Sequence, residues 1–308
     1  MQLADAGRLL ASVEDKHCDA AVRAATFCPS GGRALAGDRL SALLAELVEQ
    51  PGSSELYLTD TIASANGRGW RCSAVEGSWI EGQGVNTQAQ LAAVAGHFQA
   101  RRRAELMAAG VTMEAPETVF LAADTAIAAG AVIEPFVVFG PGVRIDSDAV
   151  IRAHSHLAGA TIERGAEIGP FARLRPGTTI GEKAKIGNFV ETKGTRLHAG
   201  AKASHLTYLG DCEVGAATNV GAGTITCNYD GFNKHRTTIG AGAFIGSNTA
   251  LVAPLRVGDG AVIGAGSVLT GDVPAEALAL SRSAQRNLEN AAGRLRAKLR
   301  REKAARES

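Results

Sequence analysis

Aliphatic side chains recur every six residues along the second half of the chain, and the positions between them are mostly small or polar. The series runs from Ile127 to Leu269, shifts by one residue twice, and stops between Ile225 and Ile239. A period of six matches neither the 3.6-residue helix nor the two-residue alternation of a strand. It predicts a parallel β-helix in which each hexapeptide forms one short strand and a corner.

Three hexapeptides per coil predict a triangular prism with coils about 4.8 Å apart, as in any sheet. The aliphatic residues would stack inside, while glycines, which often follow them directly, allow tight corners. The fold class predicted is therefore mainly β, a left-handed parallel β-helix over residues 113–283. Its stability would come from the stacking of successive coils.

Other patterns flank this repeat. Residues 86–112 have an Asn-Thr start, helically spaced Ala and Leu, and a Gly stop, which predict a linker helix. Residues 284–308 form a basic, Ala-rich tail for which a helix is expected. Residues 1–85 indicate a mixed α/β segment: ALLAELVEQ favours a helix, SELYLTDTI a strand or turn leading to another helix, and WRCSAVEGSWIEGQGVN strands.

Composition narrows the class of protein. The chain has 308 residues, 37 glycines, 5% aromatic residues and a net charge of +1, which provides no electrostatic case for nucleic-acid binding. Its five cysteines are scattered and include no CxxC pair, which argues against a disulfide framework or a zinc site. No apolar run reaches 18 residues and no signal peptide is evident, so a cytoplasmic protein without membrane contact is expected.

Candidate chemistry concentrates between residues 170 and 210. Arg175 and Lys193 are 18 residues apart, so their basic groups would stack one coil apart and suit a phosphate. A solvated basic face is the alternative that spacing alone leaves open. His205 is the side chain best matched to proton abstraction near neutral pH, although a purely structural histidine gives the same pattern.

Residues 84–282 resemble a bifunctional bacterial family that acetylates glucosamine-1-phosphate and then uridylylates the product to UDP-N-acetylglucosamine. The resemblance is carried in order by FARLRPG, GNFVETK, HLTYLGD, NVGAGTITCNYDG, IGS, LVAP and ALSR. It implies that His205 is the general base for acetyl transfer from acetyl-CoA, without a covalent intermediate. It also implies which side chains bind the sugar phosphate, namely Arg175, Lys193, Tyr208, Asn219 and Lys234.

The same resemblance assigns contacts with acetyl-CoA to Ala222, Asn228, Tyr229, Ser247, Ala265 and Arg282. The Asn228 amide and the Ser247 hydroxyl are the donors expected to stabilise the oxyanion of the tetrahedral intermediate, an effect of about 3–4 kcal/mol for one good donor. Members of the family form homotrimers, and the loop over residues 226–238 is expected to reach a neighbouring subunit. A tolerated surface insertion is the alternative explanation of this loop.

The resemblance weakens towards the N-terminus. SELYLTD and EGQGVN are similar to later motifs of the family's uridyltransferase domain, and Asn86 matches a metal-binding Asn there. The Gly-rich nucleotide loop and the Asp that shares the metal are missing, and PSGG replaces an Asn-Thr-Gly stretch. Uridyl transfer is therefore expected to be lost, and any magnesium is expected at Asn86 alone. The opening residues are explained equally by a replacement segment, a degenerate remnant or a mis-assigned start.

Two further functions stay open at this stage. One is an inactive scaffold that assembles with a full-length paralogue, which the truncation favours and the intact acetyltransfer residues oppose. The other is acetylation of a different amine, since hexapeptide prisms serve many acyl transfers. The basic set Arg175, Lys193 and Lys234 favours a phosphorylated acceptor.

Overall fold

A computed structural model describes residues 2–3, 8–14, 18–24, 27–30, 32–49 and 55–307 of the chain. They divide into two compact units, Met1–Gln99 and Ala100–Ser308. Parts of the opening stretch, Gly31 of PSGG and Ser54 of SELYLTD lie outside the described residues.

The first unit contains short elements. The strands Gln2–Leu3 and Leu9–Ala11 pair in antiparallel fashion. The helices are Ala20–Arg23, Gly37–Leu44 and Thr61–Gly67, with a 3-10 turn at Leu58–Asp60. Of the strand or turn expected from SELYLTDTI the structure has the turn, and the helix expected after it is present. The helix expected from ALLAELVEQ begins earlier and ends at Leu44.

The strands expected between residues 70 and 86 are not formed. The described residues of this stretch contain a single isolated bridge, between Ser73 and Arg8. Val75 is 92% exposed and Trp79 77% exposed. The alternating apolar side chains have no packed surface to face, so the alternation does not produce a sheet.

A 21-residue helix, Gln88–Ala108, leads into the prism. Thr87 Oγ1 accepts the Gln90 amide at 3.2 Å, and Gln90 Oε1 accepts the amides of Asn86 and Thr87 at 2.7 and 3.0 Å. This reciprocal arrangement is a capping box, which satisfies amides that the first helical turn leaves free. Gly110 ends the helix at φ +95°, a conformation that favours glycine.

The second unit is a left-handed parallel β-helix with three sheets, as the repeat predicts. Sheet A consists of Thr112–Met113, Val132–Ile133, Val150–Ile151, Glu167–Ile168, Lys185–Asn188, Lys202–His205, Asn219–Val220, Phe244–Ile245, Val262–Ile263 and Leu278–Ala279. Sheet B consists of Val138–Phe139, His156–Leu157, Arg173–Leu174, Glu191–Lys193, Tyr208–Gly210, Ile225–Cys227, Ala250–Val252 and Val268–Leu269. Sheet C consists of Ala126–Ile127, Arg144–Ile145, Ala160–Ile162, Thr178–Ile180, Arg196–Leu197, Cys212–Val214, Thr237–Ile239 and Leu255–Val257.

The hexad aliphatics form the core of this prism. All of those between Ile127 and Leu269 that stack in register are buried, and most are fully inaccessible. Each buried Leu or Ile contributes about 1.5–3 kcal/mol by leaving water. The repeat is shortened by one residue at three places, whereas the sequence pattern indicated two. Coils that contain such a place pair residues 17 apart instead of 18, namely Ile145 with Ile162, Ile180 with Leu197, and Leu197 with Val214.

Two inner positions hold threonine instead of an aliphatic residue. Thr192 is fully buried and its hydroxyl lies 3.0 Å from that of Thr178. Thr226 Oγ1 accepts the Gly210 amide at 2.7 Å. A buried hydroxyl is tolerated here because each has a hydrogen-bond partner.

The corner between sheets A and B turns through residues in the left-handed conformation. Phe136, His154, Phe171 and Phe189 have φ between 54° and 60°, and their rings stack with centroids 5.0, 4.8 and 5.3 Å apart. Leu206, at φ 48°, continues this corner one coil further on. His205 therefore ends its strand directly before a sharp turn, which leaves its ring exposed.

At the C-terminal end, the helix Ala291–Glu307 has no buried residue. No helix within the described part of the chain is long and apolar enough to cross a membrane.

Candidate functional site

The two cations predicted to stack do lie in adjacent coils of sheet B. Arg173 pairs with Glu191 and Leu174 with Thr192, so Arg175 follows in register with Lys193. The Arg175 amide donates to the Thr192 carbonyl at 2.9 Å, which continues this register beyond the strand. The 18-residue spacing therefore corresponds to one coil, as the sequence indicates.

Both cations are paired with carboxylates. Arg175 Nη1 lies 3.0 Å from Glu191 Oε1, and Lys193 Nζ lies 3.3 Å from Asp211 Oδ1. The side chains remain partly exposed, between 26% and 41%. Each cation keeps further N–H donors, because guanidinium has five and ammonium three.

His205 is oriented by a neighbour in the preceding coil. Its strand pairs with Lys185–Asn188 so that His205 stands opposite Asn188. His205 Nδ1 and Asn188 Oδ1 are 2.6 Å apart. Because an amide oxygen only accepts hydrogen bonds, Nδ1 carries the hydrogen in the neutral ring, and Nε2 keeps its lone pair.

The corner on which His205 stands continues through three residues assigned to acetyl-CoA, namely Ala222, Ser247 and Ala265. Backbone bonds run along this corner from Asn248 N to Ala222 O at 2.7 Å and from Gly266 N to Ser247 O at 2.8 Å. Arg282 reaches the same strip, where its Nη1 donates to the Ala265 carbonyl at 3.0 Å. The structure thus gathers a strip of small and polar side chains along one edge of the prism: His205, Ala222, Ser247, Ala265 and Arg282.

The loop that interrupts the repeat is stabilised by its own contacts. Tyr229 and Lys234 face each other across a short antiparallel bridge, with Lys234 Nζ 4.8 Å from the Tyr229 ring centroid. The Tyr229 hydroxyl donates to the Gly231 carbonyl. These contacts form a compact hairpin in which both residues are exposed.

Asp230 organises the tip of this hairpin. Its Oδ1 accepts the amides of Asn233 and Phe232 at 2.6 and 2.8 Å, and its Oδ2 lies 2.7 Å from His235 Nε2. The Asn233 amide, then the His235 ring and the Phe232 amide, hold the pKa of Asp230 far below its ordinary value, because each favours the ionised carboxyl.

Asn228 lies at the entry of the loop and is buried. Its Nδ2 donates to Asp211 Oδ2 at 2.6 Å. Gly210 leaves room for this contact, since a Cβ at residue 210 would lie 2.7 Å from Asn228 Nδ2 and would also strike the Tyr208 hydroxyl. The absence of a side chain at residue 210 therefore lets Tyr208 and Asn228 approach each other.

The predicted sugar-phosphate set is spread over three places. Arg175, Lys193 and Tyr208 share sheet B, Asn219 stands on sheet A between Lys202 and Phe244, and Lys234 lies over Tyr229 on the loop. Sequence reasoning missed Glu191 and Asp211, although both stand inside the quoted motifs GNFVETK and HLTYLGD. Their partners are 16 to 18 residues away in sequence, which only the coil register brings into contact.

The remaining site prediction concerns a metal at Asn86. Its backbone amide belongs to the cap of the helix Gln88–Ala108. Within the residues that the structure describes, no group of three or more His, Cys, Asp or Glu side chains could hold a metal ion. Magnesium at Asn86 stays a prediction of the resemblance.

A protein-family model matches two stretches of the repeat. The family model of the bacterial transferase hexapeptide (six repeats) matches residues 159–194 and 236–271. Among solved structures, LpxA from Acinetobacter baumannii aligns with 60% of this chain and 76% of its own at 20% identity and a TM-score of 0.45.

Curated relatives are much more similar. The bifunctional protein GlmU of Bradyrhizobium sp. (strain ORS 278) is 54% identical over 302 residues, covering 98% of this chain and 67% of the relative. That of Acidiphilium cryptum (strain JF-5) is 55% identical over 284 residues, covering 92% of this chain and 65% of the relative. The chain spans about two thirds of the length of these relatives. With this identity along almost its whole length, the chain belongs to the family of bifunctional GlmU proteins.

Proposed function

We propose that this chain transfers the acetyl group of acetyl-CoA to the amine of glucosamine-1-phosphate, within UDP-N-acetylglucosamine synthesis. The amine nitrogen attacks the thioester carbonyl carbon while His205 takes a proton from nitrogen. The tetrahedral intermediate then collapses, the C–S bond breaks, and the coenzyme leaves as a thiolate that is protonated to the thiol. The products are N-acetylglucosamine-1-phosphate and free coenzyme A.

The free Nε2 of His205 supports its role as the base. An ammonium group is not a nucleophile, so a nearby group must accept its proton before or during attack. The contact with Asn188 engages Nδ1 and leaves Nε2 with its lone pair on an exposed ring, where an incoming amine can reach it. No covalent acyl-enzyme is needed when the base and both substrates meet in one complex.

The paired cations of sheet B support a phosphorylated acceptor. Arg175 and Lys193 lie one coil apart, and both have hydrogen-bond donors beyond those used by Glu191 and Asp211. Charge-assisted bonds from Arg and Lys to phosphate oxygens are among the strongest that proteins form. Tyr208 on the same sheet, Asn219 and Lys234 complete the proposed set.

The strip from Ala222 to Arg282 supports the position of acetyl-CoA. Small side chains at Ala222 and Ala265 permit close approach of an elongated ligand along the edge of the prism. Ser247 stands between them. Its hydroxyl and the side-chain amide of the buried Asn228 are the proposed donors to the developing oxyanion. Tyr229 is exposed beside them on the loop.

One observation supports this proposal most strongly. His205 shares a single corner with Ala222, Ser247 and Ala265, although 60 residues of sequence separate the first from the last. A base and a strip suited to the acyl donor are thereby aligned along one edge.

We propose acetyl transfer alone for this chain. Asn86 contributes its backbone amide to a helix cap, and we expect no UDP-N-acetylglucosamine to form from UTP and N-acetylglucosamine-1-phosphate.

Thiol release from acetyl-CoA by the purified chain tests the proposal, measured with and without glucosamine-1-phosphate. Release that depends on the sugar phosphate is expected. Glucosamine without the phosphate and N-acetylglucosamine-1-phosphate, which has no free amine, serve as controls for acceptor chemistry. No release from folded protein would contradict the proposal, and equal release with glucosamine would remove the phosphate from it.

Lys193→Ala is expected to raise the KM for the sugar phosphate by roughly 10-fold or more, the value of one charge-assisted bond. Turnover at saturation should change little, since Lys193 holds the phosphate away from the reacting amine. Lys183→Ala is the matched control, because Lys183 is an exposed lysine paired with Glu182 on another corner. An unchanged KM in steady-state kinetics would contradict the phosphate role of Lys193.

The chain is further proposed to act as a homotrimer whose loops complete neighbouring sites. Phe232 at the loop tip is 92% exposed and Tyr229 is 56% exposed. Exposed aromatic side chains that lie together are often covered by another subunit in an assembly. Sedimentation velocity at micromolar concentration is expected to show a trimer. A monomer under these conditions would contradict the shared site.

A further inference from the structure

Asp211 lies where the coil and the loop meet. It follows the strand Tyr208–Gly210 and turns the chain in the left-handed conformation, at φ 48°. Its carboxylate has two partners on opposite sides. Lys193 Nζ lies 3.3 Å from Oδ1, and Asn228 Nδ2 donates to Oδ2 at 2.6 Å.

The backbone of Asp211 also contacts the other end of the loop. Its carbonyl accepts the Thr237 amide at 3.2 Å, where the chain re-enters sheet C, and its amide donates to the Lys193 carbonyl at 2.8 Å. The neck of the loop is closed by the His235 amide, which donates to the Asn228 carbonyl at 2.9 Å. Asp211 thus contacts Asn228 near the start of the loop and Thr237 at its end, where the next strand begins.

The contacts of the loop divide into two groups. Those within the tip, around Asp230, fix the shape of the hairpin but not its position on the prism. At the exit, Arg236 Nη2 donates to Glu213 Oε2 at 2.9 Å. At the entry, the Asp211 carboxylate holds the buried Asn228 amide, so the entry is tied to the same carboxylate that orients Lys193.

We propose that Asp211 is a positioning residue that holds Lys193 and Asn228 in one arrangement and clamps the loop to the coil beneath it. The assignment of the two partners to the sugar phosphate and to acetyl-CoA rests on the proposed function. The clamping of the loop does not, because it follows from the contacts alone.

The carboxylate is required for both tasks at once. An amide at residue 211 can still accept the Asn228 N–H with its oxygen, but it cannot neutralise Lys193. A methyl group can do neither. Asn is also well tolerated in the left-handed conformation, so Asp211→Asn changes the charge with little backbone cost.

Limited proteolysis with trypsin tests the clamp without reference to activity, since Lys234 and Arg236 stand in the loop. Asp211→Ala is expected to speed cleavage at these two sites by about 10-fold, because cleavage of a native loop follows the population of its open form. Asp211→Asn should be cleaved at nearly the wild-type rate. Asp148→Ala is the matched control, an aspartate at φ 61° on a distant corner that is paired with Arg164.

Asn228→Ala removes the same bond from the other side and should speed cleavage equally. The double variant should then be no faster than either single variant, because the two changes delete one shared interaction. This second route tests the clamp even when Asp211→Ala fails to fold. Cleavage at the wild-type rate in Asn228→Ala, or in folded Asp211→Ala, would overturn the clamp.

Kinetics test the positioning of the substrates. Asp211→Ala is expected to raise the KM for glucosamine-1-phosphate by about 10-fold, about the effect of one lost hydrogen bond to a charged group. It should also lower kcat by about 10-fold or more, because it releases Asn228, a proposed oxyanion donor. Asp211→Asn should still raise the KM for the sugar phosphate but restore kcat, since its oxygen accepts the Asn228 amide. An unchanged KM for the sugar phosphate together with an unchanged kcat in folded Asp211→Ala would overturn the positioning role. Wild-type protein without acetyl transfer would refute the proposed function, and proteolysis would still decide on the clamp.

Discussion

His205→Ala is expected to lower turnover by about 100-fold or more, the usual contribution of a positioned general base. The imidazole is the group placed to take the proton from the acceptor amine, and alanine has no group that could do so. The ring is exposed and its side-chain hydrogen bond is to Asn188 on the surface, so the fold should be unaffected. Steady-state thiol release at saturating concentrations of both substrates measures the effect.

The control for this variant is His97→Ala, which replaces an exposed histidine within the helix Gln88–Ala108. It should retain wild-type turnover. Circular dichroism and sedimentation of His205→Ala should match those of the wild type. Near-full turnover in folded His205→Ala would remove His205 as the base and leave its exposed corner without an assigned role.

Gly187→Ala is expected to cause the largest loss of stability. An ideal Cβ on Gly187 would overlap the backbone carbonyl of Ser204 in the next coil, lying 2.6 Å from its carbonyl carbon and 2.9 Å from its Cα. Backbone cannot rotate away as a side chain can, so the coils must separate. Overpacking of this kind costs about 3 kcal/mol or more, which lowers the thermal midpoint by roughly 10 °C for a unit of this size.

Differential scanning calorimetry measures this effect, with Gly271→Ala as the control. A Cβ on Gly271 would meet no atom within 4 Å, and its backbone is not left-handed. Gly187 and Ser204 directly precede Asn188 and His205, so the destabilised variant should also lose activity. A thermal midpoint within about 2 °C of the wild type would show that the coils tolerate the added methyl group, and would contradict the close packing described above.

The prism was predictable because its period is a local property of the sequence. The buried column from Ile127 to Leu269 corresponds to the hexad aliphatics, and the 18-residue spacing of Arg175 and Lys193 gave their register. The inner threonines were not predictable, since a hydroxyl is accepted there only when a neighbouring coil supplies a partner. Thr192 and Thr226 each have one.

The region before the repeat was predicted less well. Apolar alternation between residues 70 and 86 indicated strands, but a strand needs a partner edge and a face to bury. The structure provides a single bridge at Ser73 and leaves Val75 and Trp79 exposed. The helix Gln88–Ala108 was predictable because its cap and its glycine stop are encoded within a few residues of each end.

By itself the sequence determined the solenoid, the interruption by the loop, the linker helix and the identities of the side chains proposed for chemistry. Tertiary structure alone decided what those side chains contact. The carboxylates Glu191 and Asp211 face Arg175 and Lys193, and Asn188 orients His205, because coils of 17 or 18 residues stack in register. A periodic pattern indicates that coils stack. Which side chain contacts which depends on the exact register, on the corner geometry and on the direction in which each side chain leaves the sheet.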